Sequence, residues 1–178
     1  MNIYLFQHIA GIGVLLLHII IVMLLAYLIY KKKTKKEISF FENIFVKNGI
    51  LLVFLGSLFS LITSLIFSDI YHVEPCKLCW LQRIAMYPQV LIMFIALKKK
   101  DLSAWIYSFW LSFIGFMIAI YQVLEQFKVQ ALPQTDCVLG PDAACAKIHM
   151  LEFGYITFPL ASATIFFFII LLFSMRKK

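Results

Sequence analysis

The sequence predicts an all-α integral membrane protein with five spans, and three observations carry that reading. Of 178 residues, 63% are hydrophobic and only 14% are charged, against about half apolar and a quarter charged in an ordinary soluble domain. Mean hydropathy is +0.93, so apolar surface must be buried in lipid as well as in a core. The charged residues are gathered between long uncharged stretches. The formal net charge of +7 does not point to nucleic acid, because Lys occurs in short runs between apolar stretches, as in the cytoplasmic loops of membrane proteins.

The first span, residues 1–30, contains no Asp, Glu, Lys or Arg and is followed at once by Lys31, Lys32, Lys33, Lys35 and Lys36. A secretory signal would carry its positive charge ahead of the apolar stretch and small residues at a cleavage point after it. This stretch therefore reads as a retained helix. Further uncharged stretches cover residues 48–68, 84–97, 102–124 and 153–175, most of them near the twenty or so residues that cross a hydrocarbon core. The third reaches that length only when it begins near Cys79 or Trp80, which places Gln82 and Arg83 inside a helix close to the membrane surface. Pro88 and Pro159 fall within the third and fifth stretches, where they are expected to kink the helices without ending them.

Counting cations orients the chain. Twelve Lys and Arg (the 31–36 run, Lys47, Lys98 to Lys100 and Arg176 to Lys178) fall on one side, and four (Lys77, Arg83, Lys128 and Lys147) on or near the other. The richer side is expected to be cytoplasmic, with the N-terminus outside. No internal repeat, Gly/Ser linker or separate soluble domain is evident.

All four cysteines then lie in the two non-cytoplasmic segments: Cys76 and Cys79 between spans two and three, Cys137 and Cys145 between spans four and five. Four of four on the oxidising side argues for disulfide chemistry, either as two structural bridges or as a redox relay. Cys76-Lys77-Leu78-Cys79 follows Pro75 at the start of a helix, where unpaired N–H groups stabilise a thiolate. Arg83 stands one helical turn beyond Cys79 on the same face. An ionisable group within a span is expensive and marks a functional site by default; here its donors would polarise an oxygen of an electron-accepting ligand beside Cys79. Snorkelling to the headgroups is the structural alternative. Cys137 and Cys145 flank a stretch containing Gly140-Pro141 and small residues, as in a mobile loop. A structural zinc site is disfavoured because the C-x7-C spacing exceeds the usual C-x2–4-C. A c-type haem is excluded because Trp80, not His, follows Cys79.

Pro75-Cys76-Lys77-Leu78-Cys79-Trp80-Leu81-Gln82-Arg83, followed by Met86-Tyr87-Pro88, resembles the first redox centre of the DsbB family of quinone-coupled disulfide-generating membrane proteins, in its short BdbC-like branch. Leu124-Glu125-Gln126 and the Phe153–Pro159 stretch are similar to the same branch. The resemblance covers about residues 48 to 175. It implies a four-helix transmembrane bundle formed by residues 37–178, with residues 1–36 an additional N-terminal helix and its basic loop. It further implies a quinone, ubiquinone or menaquinone, near the outer face of a bacterial cytoplasmic membrane. By this resemblance Cys79 lies against the quinone, Arg83 binds its carbonyl oxygen, and Cys76 exchanges with the pair Cys137 and Cys145. Cys137 engages a DsbA-like, thioredoxin-fold thiol oxidase, with Cys145 as its pair partner. The chain departs from the family in its extra helix, and in having Tyr121 and Gln122 where members often carry a His shortly before Leu-Glu-Gln.

Two other classes compete. Vitamin K epoxide reductase-like enzymes also combine four helices, two cysteine pairs and a quinone, but there the mobile pair precedes the C-x-x-C, the reverse of this order. A non-enzymatic scaffold with structural disulfides would need neither Arg83 within a span nor a thiolate-stabilising position for Cys76 and Cys79. Transport is disfavoured because no span carries paired carboxylates.

Overall fold

The computed structural model describes residues 3–35, 38–127, 148 and 150–176. Five helices in it are long and apolar enough to cross a membrane: α1 (Ile3–Thr34), α2 (Gly49–Ile70), α3 (Lys77–Lys99), α4 (Ala104–Gln126) and α5 (Phe158–Arg176). The only β feature among the described residues is an isolated bridge, Glu152 to Ile156. The chain is an all-α, multi-pass membrane protein, as its composition requires. Helices α2 to α5 pack in sequence and α5 returns to α2, while α1 lies against α5.

Three local features differ from the boundaries expected of the sequence. Helix α1 does not stop at the first lysine but runs through Lys31–Lys33 to Thr34. Lys31 Nζ is 2.6 Å from Glu42 Oε1, which also accepts a hydrogen bond from the Tyr27 hydroxyl at 2.9 Å, and cations suit the negative end of a helix. Helix α3 begins at Lys77, ahead of Cys79, and continues unbroken through Pro88. The expectation that Pro159 kinks the fifth span is corrected: Pro159 lies in the first turn of α5, where its missing N–H costs nothing. Residues ahead of it form a tight turn instead of helix, with Glu152 N–H donating to Ile156 O at 3.0 Å and Ile156 N–H to Glu152 O at 2.8 Å. Phe153 and Gly154 adopt positive φ angles of 51° and 77° there, and glycine makes the second of these cheap.

Helix α5 is the most deeply buried, with Phe166, Ile169 and Leu172 closed off from the surface. Small residues on α4 let it approach: a Cβ built on Gly115 would overlap the Phe166 ring, the close-packing device of membrane bundles. Between α3 and α4 a buried polar pin sets the register. Gln89 Oε1 accepts from the hydroxyls of Ser108 at 2.8 Å and Ser112 at 3.2 Å, while Gln89 Nε2 donates to Ala85 O at 3.1 Å. In lipid such groups have no water to turn to, so they must satisfy one another.

Polar ties hold α1 to the rest. His8 Nδ1 lies 2.9 Å from Glu152 Oε2, and His18 Nε2 lies 2.9 Å from the Thr164 hydroxyl on α5.

Candidate redox site

The Cys-x-x-Cys spacing places its two sulfurs by helix geometry alone. Cys76 is the residue that caps α3, in extended conformation (φ −70°, ψ 171°), and its Sγ accepts a hydrogen bond from the Cys79 backbone N–H at 3.3 Å. A cap requires a side-chain acceptor for just that N–H, and sulfur here fills the part usually taken by Ser or Asp. Cys79, three residues on, therefore returns over the cap, and the two Sγ atoms lie 2.9 Å apart. A disulfide bond, about 2.05 Å long, needs only a small further approach. The contact with the Cys79 sulfur, and then burial, push the Cys76 thiol well above the ordinary thiol range. Cys76 is buried, whereas Cys79 is partly exposed.

Gln122 on α4 completes this cradle. Its Nε2 donates to Cys76 Sγ at 3.3 Å and to Cys79 Sγ at 3.5 Å. Gln82 Nε2 donates to Gln122 Oε1 at 2.7 Å, which turns the Gln122 amide N–H groups toward the sulfurs. Both glutamines are buried. Replacing Gln122 with Leu is expected to cost about 1–3 kcal/mol of stability, because the Gln82 amide loses its acceptor inside the bundle; chemical unfolding in detergent measures it.

Arg83 follows one turn after Cys79 on the same face. Its Nε donates to Ser64 Oγ at 2.9 Å and its Nη2 to Ser64 O at 3.1 Å, both on α2. The guanidinium carbon stands 5.2 Å from the centre of the Trp80 ring. Arg83 is thus tied to α2, half-buried between the two helices.

Cys79 and Arg83 open onto one cavity of about 530 Å³, within the size range of small-molecule sites. Phe59 and Ser64 of α2, Met86 of α3, Ile165 of α5 and Leu17 of α1 are among its walls, so four helices border it. Its lining is overwhelmingly apolar, with Arg83 as its cation. Tyr87, one turn beyond Arg83, is also in the wall, and its buried hydroxyl has no hydrogen-bond partner among the described residues.

The structure places Cys76 beside Cys79 and puts Cys79 and Arg83 on one cavity wall. Cys137 and Cys145 lie outside the described residues. Sequence reasoning placed Gln82 within a helix without a role, missed Ser64, and noted Gln122 only as a departure from a family His. The available signal was an uncharged polar residue inside a span, which lipid penalises unless it has a partner; weighing ionisable groups alone passed over it.

A membrane bundle with two close cysteines at a helix start, a buried cradle for their sulfurs and an arginine beside them defines a membrane thiol–disulfide protein. A family model described as disulfide bond formation protein DsbB matches residues 47–175, and the chain belongs to that family. It is 42% identical over 122 residues to the SPbeta prophage-derived disulfide bond formation protein B of Bacillus subtilis, covering 68% of this chain and 80% of that one. It is 38% identical over 141 residues to the probable disulfide formation protein C of Halalkalibacterium halodurans, covering 75% and 97%. A probable disulfide formation protein of Chlamydia trachomatis is 42% identical over 118 residues, covering 64% and 83%. No solved structure matches the chain significantly. Membership supports a membrane function in generating disulfide bonds.

Proposed function

We propose that the protein reoxidises a DsbA-like, thioredoxin-fold thiol oxidase and passes the electrons to a membrane quinone, ubiquinone or menaquinone. The observation that carries this reading is that Cys79 and Arg83 line the same apolar cavity. An apolar cavity suits a lipid-soluble acceptor, and the guanidinium suits its carbonyl oxygen. Arg83 Nη1 has no hydrogen-bond partner among the described residues, and the Tyr87 hydroxyl is a second unsatisfied polar group in that wall. The residues fit a quinone. In this reading residues 37–178 form the redox unit in a bacterial cytoplasmic membrane, with both cysteine pairs extracytoplasmic.

The chemistry is three transfers of one electron pair. A partner thiolate attacks the Cys137–Cys145 disulfide, forming a mixed disulfide, and the partner's second thiol displaces it, leaving the partner oxidised and Cys137 and Cys145 as thiols. Those thiols reduce the Cys76–Cys79 disulfide in the same way. The S–S bond between Cys76 and Cys79 then re-forms, and the two electrons and two protons so released convert quinone to quinol. Gln122 and the α3 N-terminus stabilise the sulfur anion through this sequence. Arg83, fixed by Ser64, meets negative charge developing on the acceptor without having to reorganise.

Purified protein supplied with a reduced thioredoxin-fold oxidase or a small dithiol is expected to bleach quinone absorbance catalytically. Turnover that needs Cys76 and Cys79 supports the reading. Absence of turnover with both ubiquinone and menaquinone analogues overturns it.

A further inference from the structure

Helix α1 lies entirely outside the residues that match the family model, yet it faces the cavity. Its buried residues, Gln7, Ala10, Gly11, Ile21, Leu24 and Tyr27, recur at the three-to-four residue spacing of one helical face. The series breaks between Gly11 and Ile21. Gly13, Val14, Leu17 and Ile20 continue the same face, are only half-buried, and line the cavity that holds Cys79 and Arg83. The face is closed off above and below this gap and only partly covered where the cavity lies, with Leu17 and Ile20 touching the main core at its edge.

Polar ties fix the gap in place. His8 reaches Glu152, His18 reaches Thr164 on α5, and Tyr27 reaches Glu42. The helix is therefore registered against the bundle near both ends and in the middle.

Gly13 is distinctive among the cavity-lining glycines. A Cβ built on Gly56 would meet Ile165 Cδ1 at 2.9 Å, whereas a Cβ built on Gly13 meets nothing closer than Phe59 Cε1 at 4.0 Å. The protein itself does not require a glycine there. Glycine in a helix interior is moreover destabilising relative to residues with side chains, so its presence widens the cavity at some cost to the helix.

Resting on the quinone reading above, we propose that α1 is the fourth wall of the quinone site and that Gly13 is a specificity-determining residue, leaving room for the acceptor. A larger side chain at residue 13 narrows the site without disturbing the packing around it.

The test is equilibrium binding of short-chain ubiquinone and menaquinone analogues to purified protein, read by quenching of tryptophan fluorescence. Gly13→Leu is expected to raise the dissociation constant about 10-fold or more, the effect of forcing extra methylenes into a filled site, and Gly13→Ala by a smaller factor. Oxidation of the Cys76 and Cys79 thiols by diamide should be unchanged in both, which separates a narrowed quinone site from a damaged thiol pair. Val22→Leu, on the exposed side of α1, should bind as the parent does. If the parent binds quinone and both Gly13 variants bind equally well, the role of α1 is overturned while the proposed function stands. If the parent binds neither analogue, both are overturned.

Discussion

The Cys79→Ser variant is expected to reduce quinone no faster than the uncatalysed background while keeping its fold. Serine is close to cysteine in size, and the cap of α3 survives because it uses the Cys79 backbone N–H and the Cys76 sulfur, neither of which the substitution removes. A hydroxyl cannot enter thiol–disulfide exchange, so electrons arriving at Cys76 have no second sulfur with which to form a bond. Cys79 also faces the cavity directly, so no other thiol among the described residues is placed to replace it. Steady-state quinone absorbance, with circular dichroism as the check on folding, measures the effect. Residual turnover within a few fold of the parent would show that the electron pair reaches quinone by another route.

Arg83→His is expected to raise the quinone KM by about 10- to 100-fold, with a smaller effect on kcat and little on partner binding. Hydrogen bonds to a charged group are worth about 1.5–3 kcal/mol, and each 1.4 kcal/mol is tenfold in affinity. Histidine is too short to hold both the Ser64 hydroxyl and the Ser64 carbonyl as Arg83 does, and it does not keep a permanent charge. The guanidinium is thus lost both as a ligand to the acceptor and as a strut between α3 and α2. Equal quinone affinity for the variant and the parent would contradict the role given to Arg83. A loss confined to partner binding would move that role to the membrane surface.

Much of this architecture was legible in the sequence because lipid imposes hard rules. Uncharged stretches near spanning length had to be helices, and α2 and α4 follow from them, whereas α3 required extending the short stretch 84–97 back past Arg83. The paired cysteines and Arg83 were legible for the same reason: helical spacing puts residues 79 and 83 on one face, and Pro75 announces a helix start. The helix ends were less so. The uncharged stretch ends before Lys31, but pairing with Glu42, distant in sequence, lets α1 continue. Pro159 looked internal because the turn at Glu152–Ile156 is composed mainly of apolar residues and carries no charge between residues 153 and 158. The cradle of Gln82 and Gln122 depends on helices 40 residues apart in sequence meeting at one level, which spacing within either helix cannot reveal. The place of α1 was equally hidden. Its long apolar sequence is compatible with facing lipid on every side, and only its half-buried face between Gly11 and Ile21 shows that it borders a cavity.

In the proposed mechanism electrons leave the protein from Cys76 and Cys79 for a quinone bound beside them. An anaerobic single turnover tests it most directly, using reduced protein in which Cys137 and Cys145 are replaced by Ser and a stoichiometric short-chain quinone, with no partner and no dithiol present. Quinone absorbance is expected to disappear in step with loss of the alkylatable Cys76 and Cys79 thiols, one equivalent of quinol forming for each disulfide. Thiols that remain alkylatable while quinone persists, in protein shown to be folded, would contradict it.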